Sequence, residues 1–103
     1  MAKFLFVYHG GSAPSSPEEA EATMAKWSSW LAAHASDAVD GGHPVGKSYT
    51  VSSSGVADNG GANPASGYSL FNAESLEEAI DIAKGCPILD SGGNVEVAQA
   101  MDM

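Results

Sequence analysis

The chain predicts a ferredoxin-like α+β fold, β-α-β-β-α-β, with two helices on one face of a four-stranded antiparallel sheet. Three features carry this expectation. An apolar strand opens the chain at Phe4-Leu5-Phe6-Val7-Tyr8. Two helix starts share one capping signature, Ser16-Pro17-Glu18-Glu19 and Ser75-Leu76-Glu77-Glu78. The second helix is flanked by strand signals at Gly67-Tyr68-Ser69-Leu70-Phe71 and Gly92-Gly93-Asn94-Val95-Glu96-Val97.

In the first strand, alternation puts Phe4, Phe6 and Tyr8 on one face and Leu5, Val7 and His9 on the other, so both faces are largely apolar. That pattern suits a central strand. Ser16 then caps a helix with proline at its first position, where a missing N–H costs nothing. Ala20, Met24, Trp27, Leu31 and His34 form a helical stripe flanked by Thr23 and Trp30, which predicts packing on the sheet. The polar stretch 36–42 reads as a turn. Residues 45–51 read as the second strand, with Val45, Lys47, Tyr49 and Val51 on one side. Residues 52–66 shift to Ser, Gly, Asn, Ala and Pro and read as a long loop, with an extended hairpin tip as the alternative. Leu76, Ala79, Ile80 and Ala83 predict the buried stripe of the second helix, which Gly85 and Pro87 stop. Right-handed crossovers place both helices on one side of the sheet.

The last third resembles the YCII-related family, in which a Gly-Tyr strand, a Ser-Leu-x-x-Ala helix, a Cys-Pro or His-Pro stop and a Gly-x-x-Glu-Val strand follow in this order. The first strand and the Trp27/Trp30/Leu31 helix fit as well, so the resemblance covers most of the chain. It implies a single YCII-like domain over residues 1–103. It also implies a homodimer in which two sheets pack as a dimeric α+β barrel, with a cleft beside the interface. The chain departs from the family pattern at three places. Asp58-Asn59-Gly60-Gly61-Ala62-Asn63-Pro64 stands where an Asp-Gly-Pro-Phe segment lies in one branch. Glu96-Val97-Ala98-Gln99 replaces Glu-Val-Arg-Pro, which removes an arginine able to hold an anion. The YciI-like branch has a proposed His-Asp pair whose histidine lies in the first helix, and that position falls near Lys26 here.

Length suits one core, since a chain of this size buries about two-thirds of its unfolded surface. Thirteen acidic residues against four basic ones give a net charge of −9, which repels phosphate backbones and anionic headgroups. Nucleic acid and membrane are therefore not expected as partners. The one cysteine, Cys86, rules out an internal disulfide and a cysteine-cluster metal site and fits a reducing compartment, the cytoplasm. No phosphate loop, dinucleotide fingerprint or nucleophile elbow occurs, and neither a cofactor nor a metal is expected. Gly10-Gly11-Ser12 lacks the lysine of a phosphate loop and reads as a turn feeding the Ser16 cap.

Proton transfer, if any, falls to histidine, which alone titrates near neutrality in an unperturbed state. His43, in Gly41-Gly42-His43-Pro44, and His34, with Asp37 and Asp40 close behind, are the catalytic candidates, with Asp40 as carboxylate partner. His34 at a helix C-terminus has an equally simple use in meeting the last carbonyls. Ligand-binding candidates are His9, Tyr68, Asp58 and Glu96. Glu96 alternates with Val95 and Val97 and so faces the open side of the sheet. Trp27 and Trp30 read as core and Cys86 as a packing residue. The sequence thus supports small-molecule binding in an interface cleft, with cofactor-independent acid-base catalysis and a purely regulatory dimer as alternatives.

Overall fold

The computed structural model describes residues 1–102. Its main sheet contains β1 (Ala2–His9), β2 (Ala38–Asp40), β5 (Ala65–Ala73) and β6 (Asn94–Gln99), in the spatial order β2-β5-β1-β6 with every neighbouring pair antiparallel. The helices are α1 (Pro17–Ala33) and α2 (Leu76–Ala83), and a 3-10 turn over Pro87–Ser91 leads into β6. A separate hairpin joins β3 (Thr50–Ser52) to β4 (Gly55–Ala57).

Both helices begin where the sequence places them. The Ser16 hydroxyl accepts from the Glu19 N–H and the Ser75 hydroxyl from the Glu78 N–H, each at 3.1 Å. The core lies between helices and sheet. Phe4, Phe6 and Tyr8 of β1 and Ser69, Phe71 and Ala73 of β5 are buried there, with Ala79, Ile82 and Ala83 of α2 and Trp30 of α1 above them. Trp30 stacks edge-on to Phe71 at 5.4 Å and donates through Nε1 to the Ile82 carbonyl at 3.1 Å, which fixes α1 against α2.

Four expectations are corrected. The second strand is 38–40 rather than 45–51. After α1 the chain turns at once, the Ala38 N–H donating to the His34 carbonyl at 3.0 Å, and the Asp37 carbonyl accepts from the Asn72 N–H at 2.7 Å. The edge of β5 is therefore filled before residue 45 is reached. A bulge follows, and the strand direction resumes as a single bridge between Pro44 and Gly67. The 52–66 stretch is not wholly loop, since β4 and the start of β5 fall within it. On α1, Met24 is 70% exposed and Trp30 takes the deepest position. On α2, Ile82 is buried in place of Leu76 and Ile80, which are 46% and 39% exposed. In both helices the sheet contacts rotate the buried stripe by a fraction of a turn from the one the apolar pattern marks.

The opposite sheet face, carrying Leu5, Val7, Tyr68, Leu70, Asn72 and Glu96, has no helix over it; its apolar residues are half-buried by their neighbours alone.

Candidate functional site

A pocket of about 370 Å³ opens on the helix side of the sheet, where α1 faces the Gly41–Pro44 edge. Its walls include Tyr8, Trp27, Leu31, His43, Tyr68 and Ile88. Alternation along β1 aims Tyr8 at α1, where its ring meets Trp27 edge-on at 5.1 Å. The Tyr8 hydroxyl donates to Ser69 Oγ at 2.7 Å, and Ser69 donates to the Gly41 carbonyl at 2.6 Å. This relay ties the strand at the back of the pocket to the loop at its mouth. Burial pushes the Tyr8 hydroxyl well above the ordinary phenol value, so Tyr8 acts as a neutral donor.

Gly42 shapes the mouth. Its φ is 78°, and a Cβ built there would overlap the Tyr68 carbonyl, with the carbonyl carbon at 2.6 Å. Its N–H donates to Asp40 Oδ1 at 2.8 Å. The next residue, His43, is pinned by its own carbonyl accepting from the Tyr68 N–H at 3.2 Å, and its ring stands 6.3 Å from that of Tyr68. None of the four lysines lines the pocket, and the chain has no arginine. A molecule that fills it meets aromatic and aliphatic walls and no fixed cation.

The predicted site residues fall into four places. His43 and Tyr68 both border the pocket, Tyr68 through its backbone, since alternation along β5 turns its side chain to the open sheet face. Asp40 is engaged in the turn that feeds it. His34 caps α1, its ring edge-on to Trp30 at 5.9 Å, with no carboxylate hydrogen-bonded to it. Asp58 pairs with Lys47 at 2.7 Å at the base of the hairpin. His9 and Glu96 stand together on the open sheet face, Nε2 to Oε1 at 2.9 Å, while His9 Nδ1 lies 3.3 Å from the Pro64 carbonyl oxygen. The hydrogen bond to Glu96, more than any other influence, raises the His9 pKa above the ordinary imidazole value. This is the one His-carboxylate pair among the described residues. No three His, Cys, Asp or Glu side chains among them converge as a metal-ligand set.

Sequence reasoning missed the Tyr8-Ser69-Gly41 relay. The period-2 pattern puts Tyr8 and Ser69 on the same face, but only the register, Tyr8 opposite Gly67, sets them diagonal to each other. Trp27 read as core and is instead half-buried at the pocket wall. Cys86 is buried as expected, and burial pushes its thiol up to about 11, so it is not an activated nucleophile.

The sheet order and the two helices on one side define a ferredoxin-like α+β protein. The same fold is found in 5-chloro-2-hydroxyhydroquinone dehydrochlorinase (TftG) from Burkholderia phenoliruptrix AC1100, solved in complex with 2,5-dihydroxybenzoquinone. The likeness covers 96% of this chain and 95% of that one, with a TM-score of 0.57 at 16% sequence identity, which establishes a shared fold. No protein-family model matches the chain, and no match is found among curated proteins.

Proposed function

We propose that this chain is a homodimeric YCII-like protein, a single domain over residues 1–103, that binds a small, uncharged, planar molecule in the pocket beside α1. The observation that carries the reading is the pocket itself: aromatic walls from Tyr8 and Trp27, a volume of about 370 Å³, and no lysine to hold an anion. Apolar walls with a few convergent polar groups are what small-molecule sites have in general. The bound ring compound in the structural neighbour TftG supports a ring-sized ligand. No helix among the described residues is long and apolar enough to cross a membrane, and the free Cys86 suits the cytoplasm.

The dimer reading rests on the open sheet face. Strands of eight, three, nine and six residues, at about 3.4 Å per residue and about 4.8 Å spacing, give a footprint of about 400 Å². That is the same order as the ~800 Å² per partner buried in standard interfaces. An apolar face of this kind is normally covered. Binding stands ahead of turnover because neither His43 nor His34 has a carboxylate to orient it. If a reaction occurs, His43 is the base positioned for it, and a product must then accumulate in proportion to the parent protein and not to a His43→Asn variant.

Amide shift mapping with hydroquinone as a neutral probe and benzoate as an anionic one tests the pocket. Hydroquinone should move the resonances of Gly42, His43, Gly67 and Trp27, with benzoate at least tenfold weaker. Equal binding of the two probes, or shifts confined to the open sheet face, would overturn the assignment.

A further inference from the structure

On the open sheet face Glu96 stands amid Leu5, Val7, Tyr68 and Leu70; Asp40, opposite Leu70 at the β2 edge, accepts from the Gly42 N–H, and Lys3 lies opposite Asn72 at the far end. Glu96 lies opposite Val7, on the same side of the sheet, and its side chain is 65% exposed in the single chain. Covering that face would take Glu96 out of water, and a buried carboxylate is costly unless it is paired. Its partner is already in place. His9 is buried at the end of β1, and both of its ring nitrogens face acceptors, Glu96 Oε1 at 2.9 Å and the Pro64 carbonyl at 3.3 Å. A neutral imidazole carries one N–H and can satisfy only one of them; an imidazolium satisfies both and leaves the pair with no net charge.

The surroundings give the pair no competitor. On β5 the residue opposite His9 is Ala65, and on β6 it is Asn94. From the 58–64 segment only the backbone carbonyls of Asn63 and Pro64 act on the ring, because the segment's one carboxylate, Asp58, is held by Lys47. Lys3, the basic residue of β1, stands at the other end of the strand.

We infer that the His9-Glu96 pair couples dimerisation to protonation, so that a second copy of this chain docks on the open sheet face with His9 as imidazolium neutralising Glu96. The inference rests on the dimer reading above. A second copy is the occupant this charge arrangement fits. A chain of net charge −9 repels its own kind, and a face whose carboxylates are engaged within the chain, Glu96 by His9 and Asp40 by the Gly42 N–H, is where two such chains can meet. The direction follows. At low pH His9 is protonated in both free and paired chains and association does not depend on pH. Above the titration of the free protomer, docking must take up a proton on each chain, so the dissociation constant rises by up to about tenfold per pH unit for each histidine.

Sedimentation velocity on the full chain from pH 6 to pH 9 at constant ionic strength tests this. The dissociation constant should rise at least about tenfold over that range, and Glu96→Gln should flatten or invert the trend, because an imidazolium facing an amide is then an unpaired buried charge. A pH-independent dimer would overturn the coupling while leaving the dimer intact. A trend that survives Glu96→Gln unchanged would assign it to another group and also overturn the coupling. A monomer at every pH would sink the dimer reading and the coupling with it. The parent protein gives a check that needs no variant: the His9 ring, followed by NMR, should titrate at higher pH in concentrated than in dilute solution, and coincident curves would refute the linkage.

Discussion

Replacing Gly42 with alanine should damage the fold more than its loop-like setting suggests. Two costs act together. The backbone sits at φ 78°, a left-handed conformation that costs a residue with a Cβ about 1–2 kcal/mol. The added carbon would also overlap the Tyr68 carbonyl, backbone that cannot swing aside as a side-chain tip can. Forcing β5 and the edge apart resembles overpacking, at about 1–3 kcal/mol. The sum of these, about 2–5 kcal/mol, is a large part of the roughly 5–15 kcal/mol that holds a domain of this size together. At about 4–8 °C per kcal/mol, the melting temperature should fall by about 10–40 °C. Gly46, four residues on, has nothing within 4 Å of its would-be Cβ and no left-handed φ. Gly46→Ala should therefore change stability by less than about 1 kcal/mol. Urea denaturation followed by circular dichroism compares the three proteins directly. A Gly42→Ala protein within 1 kcal/mol of the parent, or no worse than Gly46→Ala, would show that the mouth of the pocket is not built on this close approach.

The remaining predictions concern the core and the charged pair. Tyr8→Phe removes a donor while Ser69 keeps the Gly41 carbonyl, so thermal unfolding should show a loss of about 1 kcal/mol, whereas Ser69→Ala, which strands the Tyr8 hydroxyl in its buried position, should cost about 1–3 kcal/mol. Trp30→Ala should destabilise by about 3–5 kcal/mol as a core truncation. Trp27→Ala should cost less in the same denaturation series and instead abolish hydroquinone shifts, because its ring is a wall of the pocket. Folding stability should also depend on pH through His9. Its folded pKa is raised, so its contribution is complete below the ordinary imidazole value near 6.5 and is lost as pH rises through the folded value. Glu96→Gln should remove that loss in a denaturation series from pH 6 to pH 9.

The site was legible in pieces. His43 stood out within Gly41-Gly42-His43-Pro44, and the glycine before it proves to be where the backbone makes a close approach, to Tyr68. His9 and Glu96 each stood out, yet their pairing needs the register that sets Glu96 opposite Val7 and Asn94 opposite His9, and register is a property of two strands 87 residues apart. The pocket could not be read at all. It is the space left where α1 crosses a strand edge interrupted at Gly41 and Gly42, and Trp27 looks the same in a sequence whether its ring is sealed in or faces that space.

By itself the sequence determined the local elements whose signals are short-range: the first strand, both capped helices, the Cys86-Pro87 stop and the final Gly-x-x-Glu-Val strand, together with an acidic surface. Those signals are local because a cap or an alternation is satisfied within a few residues. Only the tertiary structure decided which short segment fills the edge of β5, how each helix is rotated over the sheet, and which side chains meet. Residues 38–40 won that edge over 45–51 because the turn after His34 delivers them first to the free backbone of β5. Propensity favoured the later, more apolar segment. Hydrogen-bonding groups on a buried strand are satisfied by whatever backbone the chain brings within reach, and that outcome is set by the packing of α1 rather than by the composition of the strand.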